Sequence, residues 1–179
     1  MKKFSHEEIK RMKPTTAEVL EKRRSPIFAL LDNVRSAHNV GAIFRTSEGV
    51  LLQKLFLCGI TPVPPKKEIL KTALGAEELV PWEYCEDAVE AVKKLKNEGV
   101  KIIAVELAYE AVRYDKMDFE FPICLVFGNE VNGISDDLMQ FADDAIYLPM
   151  LGRANSLNVA TCYGIVVYEA LKKLKLKNI

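Results

Sequence analysis

Residues 146–171 read IYLPMLGRANSLNVATCYGIVVYEAL, and the fold turns on how this stretch is parsed. Ile146–Leu148 is a short apolar strand, Pro149 breaks it, and a polar loop runs through Gly152 to Asn155. An apolar helix is expected to enter at Ser156. Ser156 or Asn155 suits its N-cap, because a short polar side chain there accepts bonds from backbone N–H groups that lack a partner inside the helix. A polar loop between a buried strand and a buried helix is where α/β proteins hold ligands. It is also what any ordinary crossover looks like, so the rest of the chain decides.

Working outward, apolar runs at Ile27–Leu31, Lys54–Cys58, Leu79–Tyr84, Lys101–Val105 and Ile123–Phe127 read as strands. Between them lie helical stretches at Val40–Leu51, Glu86–Glu98 (ended by Gly99) and Ser135–Phe141, and a broken helix or loop over 66–78. Strands alternating with helices predict an α/β fold with a mostly parallel sheet flanked by helices. In front, residues 5–13 and 15–24 read as two helices, with Thr15 or Thr16 as a cap after Pro14. The expected organisation is a basic helical extension over 1–24 and one domain over 25–179.

Composition bounds the function. The 179 residues are about half apolar, enough for one sizeable core. No run approaches the roughly 18 apolar residues of a membrane span, and the basic N-terminus lacks the apolar core of a signal peptide; the cytoplasm is the expected location. The four cysteines, Cys58, Cys85, Cys124 and Cys162, are scattered without a CxxC pair, which suits reduced structural thiols better than a disulfide framework or a zinc site. With only His6 and His38 as histidines, no metal is expected. Net charge is zero, but residues 1–24 hold eight Lys/Arg against four Asp/Glu, and residues 171–179 hold four Lys and no acid. Basic ends on an acidic body suit nucleic acid, or are simply solvated helical tails.

The informative polar residues cluster after three strands. Ile27–Leu31 is followed by a loop and helix carrying Asn33, Arg35, Asn39, Gly41 and Arg45; Ile123–Phe127 by Gly128, Asn129, Glu130 and Gly133; and Ile146–Leu148 by PMLGRANSLNV. In a parallel sheet such loops share one edge and build one site. Neither GxGxxG, GxxxxGK[ST] nor GxSxG occurs, so dinucleotide, P-loop and serine-hydrolase readings lack their usual support.

The three blocks, Asn33–Thr46, Phe127–Ser135 and Leu148–Val159, resemble in order and spacing the motifs of SpoU-type methyltransferases of the SPOUT superfamily, which 2′-O-methylate ribose in tRNA or rRNA. The resemblance implies a SPOUT-type fold with a deep C-terminal trefoil knot, S-adenosylmethionine as methyl donor, and a homodimer that shares its active sites. It also implies residue roles. Val105, Gly128, Asn129, Ile146, Leu148, Met150, Ser156 and Leu157 would hold the donor, with apolar walls for its adenine and backbone groups for the adenine edge.

Arg45 matches the arginine at the reacting hydroxyl. It is either a general base or a bidentate clamp on the target phosphate, and a guanidinium that stays protonated suits the clamp better. Asn39 would fix Arg45 or the RNA, or cap the helix starting near Val40. Glu130 would pair with a cation, either Arg45 or an arginine of a partner subunit. Ser156 and Asn158 match the polar pair of the third motif, although Ser156 competes as a plain N-cap. Arg35 and Arg153 would meet phosphates. Arg23 and Arg24 would touch RNA or merely suit a helix C-terminus.

On the last helix, Leu157, Ala160, Gly164, Tyr168 and Leu171 form one stripe, with Val159, Cys162, Tyr163 and Val166 on another face. A helix apolar nearly all round is expected to be buried on both sides, by its own sheet and by a second subunit. The compact chain with basic terminal helices looks more like a tRNA enzyme than an rRNA enzyme. The alternatives are a non-catalytic RNA-binding protein on the same fold and, disfavoured by the absent phosphate loops, a small-molecule nucleotide enzyme.

Overall fold

Ser25–Asp32 (β1) is the strand on which the sheet is assembled. Its residues alternate between two apolar layers, with Ile27, Ala29 and Leu31 facing one and Leu30 the other. The computed structural model describes residues 1–177. After two short helices, α1 (His6–Met12) and α2 (Thr16–Glu21), the chain runs β1, α3 (Ala37–Gly49), β2 (Leu52–Cys58), α4 (Lys67–Ala73), a single 3-10 turn (Ala76–Glu78), β3 (Trp82–Cys85), α5 (Ala88–Asn97) and β4 (Lys101–Val105). Then follow β5 (Val112–Arg113), β6 (Ile123–Phe127), α6 (Asp136–Met139), β7 (Asp144–Tyr147) and α7 (Val159–Lys177).

The seven strands pair in the order β3-β2-β1-β6-β4-β7-β5, and every pairing is parallel. A sheet covered on both faces needs continuous apolar strands, and β6 (ICLVF) is buried at every position. One core joins β1, β6 and β2 to α3 and α7 through Ile43, Phe44, Phe127, Tyr163, Val166 and Val167. The other packs Leu30, Ile102, Cys124 and Val126 against Val92 and Leu95 of α5 and Leu138 of α6. Tyr163 lies 5.1 Å, ring to ring, from Phe127 and shares a 2.6 Å hydrogen bond with the buried Ser47, which locks α7 to α3.

The strand order reverses direction between β1 and the β6–β4 pair: the chain first grows outward through β2 and β3, then returns to the other side. At such a switch point neighbouring loops diverge and leave a crevice beyond the carboxyl ends of the strands. That crevice is where the polar loops gather.

Several expected boundaries move. The α7 helix begins at Val159, because Asn158 is its cap: Asn158 Oδ1 accepts from the amides of Ala160 (3.0 Å) and Thr161 (3.3 Å). Ser156 and Asn155 therefore lie in the loop and cap nothing. The α3 helix begins at Ala37 with Ser36 as cap, accepting from Asn39 N–H, so Asn39 is not the cap either. β5 appears in a segment that carries no strand signal.

Within this chain α7 is buried on one face. Val159, Tyr163, Val166, Val167 and Ala170 face the core, while Ile165 and Tyr168 are exposed, as is Leu157 just before the helix, and a Cβ on Gly164 would meet nothing within 4 Å. In front of the sheet, Ser5 with Glu8 and Thr15 with Glu18 form reciprocal capping boxes, and these hydrogen bonds hold both carboxyls below their ordinary range. α1 buries no residue and α2 only Val19.

Candidate functional site

The loops after β1 and β6 are stapled together before any ligand is considered. Asn129 Nδ2 donates to the Asn33 carbonyl at 2.7 Å, and Asn129 Oδ1 accepts from the amides of Val131 and Asn132. Asp32, buried at the end of β1, accepts from Ser135 N–H at 2.9 Å and from Asn33 Nδ2 at 2.7 Å. Paired backbone bonds between Asn129 and Gly133 close the β6 loop so tightly that a Cβ on Gly128 would sit 2.1 Å from the Gly133 carbonyl carbon. Gly133 has φ +72°, a conformation that suits glycine.

Glu130 leans from this loop onto the start of α3. Its carboxylate accepts from the amides of Arg35 (2.9 Å) and Ser36 (3.1 Å) and from Asn39 Nδ2 (3.0 Å). Partial burial works against ionisation, but these donors outweigh it and hold the carboxyl below its ordinary range. The expected pairing of Glu130 with a cation is thus replaced, within this chain, by backbone and amide donors; Arg35 contributes its N–H, not its guanidinium. Asn39 Oδ1 in turn accepts from Asn158 Nδ2 at 3.1 Å. Glu130, Asn39 and Asn158 form one chain of side-chain hydrogen bonds, and it ends on the cap of α7.

Beyond this relay opens a cleft of about 820 Å³. Val105, Glu106 and Leu107 after β4 line it, with Phe127 to Gly133 after β6 (Asn132 excepted), Ile146 to Met150 after β7, and residues of the loop to Val159. Val105, Gly128, Asn129, Ile146, Leu148, Met150, Ser156 and Leu157 all border this one space, as do Glu130 and Asn158. Asn39 reaches it only through Glu130 and Asn158.

The arginines are dispersed. Arg45 lies on the exposed side of α3 and Arg35 and Arg153 are exposed in the loops, none of them lining the cleft. Among the described residues, no ion pair engages any of the three. Arg23 and Arg24 precede β1, whose eight residues span about 25 Å, so they sit at the opposite edge of the sheet. Arg24 is moreover engaged: its guanidinium donates to the carbonyls of Leu52 (3.2 Å) and Leu79 (2.7 Å) and ties the N-terminal segment to the body. Of the basic C-terminal residues, Lys172 pairs with Glu169 and Lys173 donates to the carbonyls of Asp115 and Met117.

Glu106 and Cys162 are cleft residues that the sequence does not mark as such. Glu106 follows the apolar run KIIAV directly, and an acid at a strand's carboxyl end was the available signal. Cys162 also lines the cleft, and its thiol is pushed up to about 11 by burial and by the nearby Glu106 carboxylate. Among the described residues no group of three His, Cys, Asp or Glu side chains is disposed to hold a metal ion, and no helix is long and apolar enough to cross a membrane.

A strand-end cleft of this volume, lined by apolar side chains together with polar groups and two carboxylates, marks an α/β protein that holds a ligand beyond the carboxyl ends of its strands. The chain belongs to the SpoU rRNA Methylase family, whose profile matches residues 26–168. It is similar to the tRNA (guanosine(18)-2'-O)-methyltransferase of Aquifex aeolicus (strain VF5), 35% identical over 158 residues that span 87% of this chain and 74% of that protein. The crystal structure of the A. aeolicus TrmH/SpoU tRNA modifying enzyme matches with a TM-score of 0.82 and 34% identity, covering 96% of this chain and 85% of that one. The AdoMet-bound rRNA methyltransferase from Sinorhizobium meliloti matches with a TM-score of 0.77 and 28% identity, over 86% of this chain and 59% of that one.

Proposed function

We propose that this protein is an S-adenosylmethionine-dependent RNA methyltransferase that methylates a ribose 2′-hydroxyl, with tRNA as its substrate. The observation that carries the reading is the strand-end cleft joined to the Glu130–Asn39–Asn158 relay, in a chain of the SpoU family. The tRNA enzyme of A. aeolicus supports the substrate class. The S. meliloti rRNA methyltransferase keeps rRNA as the second reading.

The cleft fits such a donor by its chemistry. Val105, Ile146, Leu148, Met150 and Leu157 offer apolar walls for an adenine, and the irregular backbone around Gly128, Leu148 and Leu157 offers hydrogen bonds to its edge. When bound, the donor supplies a methyl group on a positively charged sulfur. The remaining work is orientation, since a ribose hydroxyl is a weak nucleophile that must be aligned and relieved of its proton. Asn158, fixed at its carbonyl by the α7 cap and at its amide by Asn39, is a rigid polar group at the cleft wall. Ser156, free of any capping duty, has its hydroxyl available for the substrate or for the methionine end. Arg45 clamps the phosphate beside the target ribose; a guanidinium that remains protonated holds an anion better than it takes a proton. Glu130 orients Asn39 and pins the entry to α3. Arg35 and Arg153 extend the phosphate-binding surface.

The same reading carries a homodimer seated on the exposed face of α7 and a deep trefoil knot near the C-terminus. On this reading the protein works in the cytoplasm.

The test is transfer of labelled methyl from S-adenosylmethionine to bulk tRNA and, separately, to rRNA, followed by nucleoside analysis. A 2′-O-methylated nucleoside from tRNA is expected. Label appearing only on bases, or on no RNA, defeats the proposal, and label confined to rRNA selects the second reading. Arg45→Ala is expected to abolish transfer while donor binding survives. Equal behaviour of mutant and wild type in every RNA assay would instead favour a non-catalytic RNA-binding protein.

A further inference from the structure

We propose that Glu106 is the group that recognises the ribose of the donor, its carboxylate accepting hydrogen bonds from the 2′- and 3′-hydroxyls; the inference rests on the donor reading of the cleft. Glu106 is the first residue after β4 and lines the cleft beside Val105 and Leu107. Its two oxygens are held apart by two loops: Oε1 accepts from its neighbour Leu107 N–H at 3.0 Å, and Oε2 accepts from Ile134 N–H, beyond the β6 loop, at 3.1 Å. No cation neutralises it among the described ion pairs.

Space for this carboxylate is made by Gly133, on which a Cβ would fall 2.4 Å from Glu106 Oε2. The tight loop that Gly128 and Gly133 permit is therefore also the seat of an anionic, preorganised acceptor. A carboxylate oxygen accepts more than one hydrogen bond, so each oxygen of this cleft-lining residue keeps capacity for a further donor. Two oxygens on one rigid carboxyl match the two hydroxyls of a vicinal diol. The same logic places an acid near a strand end against the ribose in dinucleotide-binding folds. The other carboxylate of the cleft, Glu130, is already occupied by three donors. Glu106 thus fixes the nucleoside between the adenine walls and the reacting centre.

The experiment is calorimetric titration of wild type, Glu106→Gln and Glu106→Ala with S-adenosylhomocysteine, with its 2′-deoxy and 3′-deoxy analogues, and with 5′-methylthioadenosine, which lacks the amino-acid end. Wild type is expected to bind each deoxy analogue ~10- to 100-fold more weakly than the parent, the size of a hydrogen bond to a charged group. In Glu106→Ala parent and deoxy analogues should bind within about threefold of each other, because the acceptor is gone, whereas Glu106→Gln keeps one neutral acceptor oxygen and should retain a penalty for at most one of the two deoxy analogues. Loss of the amino-acid end should cost wild type and variants alike. Wild type binding the deoxy analogues as tightly as the parent overturns the proposal, even if neither variant folds. So does a deoxy penalty that persists undiminished in Glu106→Ala. A penalty for 5′-methylthioadenosine that disappears in the variants assigns Glu106 to the ammonium instead. Failure of wild type to bind S-adenosylhomocysteine at all is a different result, and it defeats the donor reading itself.

Discussion

Asn158 holds two structures with one side chain: its carbonyl oxygen caps α7 and its amide nitrogen reaches Asn39. The two duties separate chemically. Asn158→Asp keeps an oxygen for the amides of Ala160 and Thr161 and loses the donor to Asn39. Its stability is expected to stay within about 0.5 kcal/mol of wild type, since Asp and Asn cap about equally well, while methyl transfer falls sharply. Asn158→Ala loses both duties, and chemical denaturation should report a loss of about 1 kcal/mol. Equal activity of the Asp variant and wild type would show that the relay is mere scaffolding. The residue scale is also where the sequence was least legible. Asn158 was readable as a polar site residue, but its capping role depended on where the preceding loop ended. Glu106 was passed over because a lone acid after a strand is usually a solvated end; only the returning β6 loop, distant in sequence, makes it a cleft wall.

Elements were read best where burial leaves a mark along the chain. β4 and β6 came out with the bounds expected, because strands covered on both faces are continuous apolar runs closed by polar residues. β5 was invisible: its two residues, Val112 and Arg113, are exposed and pair only with β7, so no pattern distinguishes them from loop. Two joints between elements invite measurement. Tyr163→Phe removes the hydroxyl shared with Ser47 and leaves a buried polar atom with one partner fewer. Thermal or chemical unfolding should register about 1 kcal/mol of lost stability. Asp143 joins α5 to β4, accepting from Lys96 Nζ and from Ile102 N–H at 2.8 Å. Burial opposes its ionisation, but those donors outweigh it, so its carboxyl sits below the usual range. A depressed folded-state value means that the contribution is complete above the ordinary aspartate value of about 4. It is lost as pH falls through the folded value. Asp143→Ala should therefore be destabilised by ~1–3 kcal/mol near neutral pH, from the orphaned Ile102 amide. The gap to wild type should narrow below about pH 4. A gap that does not change with pH would contradict the assignment.

At the scale of the whole molecule, the fold class was legible from alternating strands and helices, but the strand order was not. Nothing local in Ile123–Phe127 says that it inserts between β1 and β4, and that insertion is what brings the loops after β4, β6 and β7 to one cleft. The remaining question at this scale is what covers α7. Its outer face exposes Ile165 at 36% and Tyr168 at 52%, with Gly164 open beside them and Leu157 at 37% just before the helix. Ile165 and Tyr168, with Leu157 ahead of them, make an apolar strip rather than scattered surface residues. Because the core of the chain does not need these side chains, charge introduced there tests association without testing folding. Ile165→Glu combined with Tyr168→Glu is expected to leave the far-ultraviolet circular dichroism and unfolding cooperativity intact. In light scattering, the wild type should run as a dimer and the double variant as a monomer with transferase activity reduced at least tenfold. A wild type that is monomeric at micromolar concentration, or a monomeric variant with full activity, would remove the shared-site dimer from the proposal and leave the donor cleft as a single-chain site.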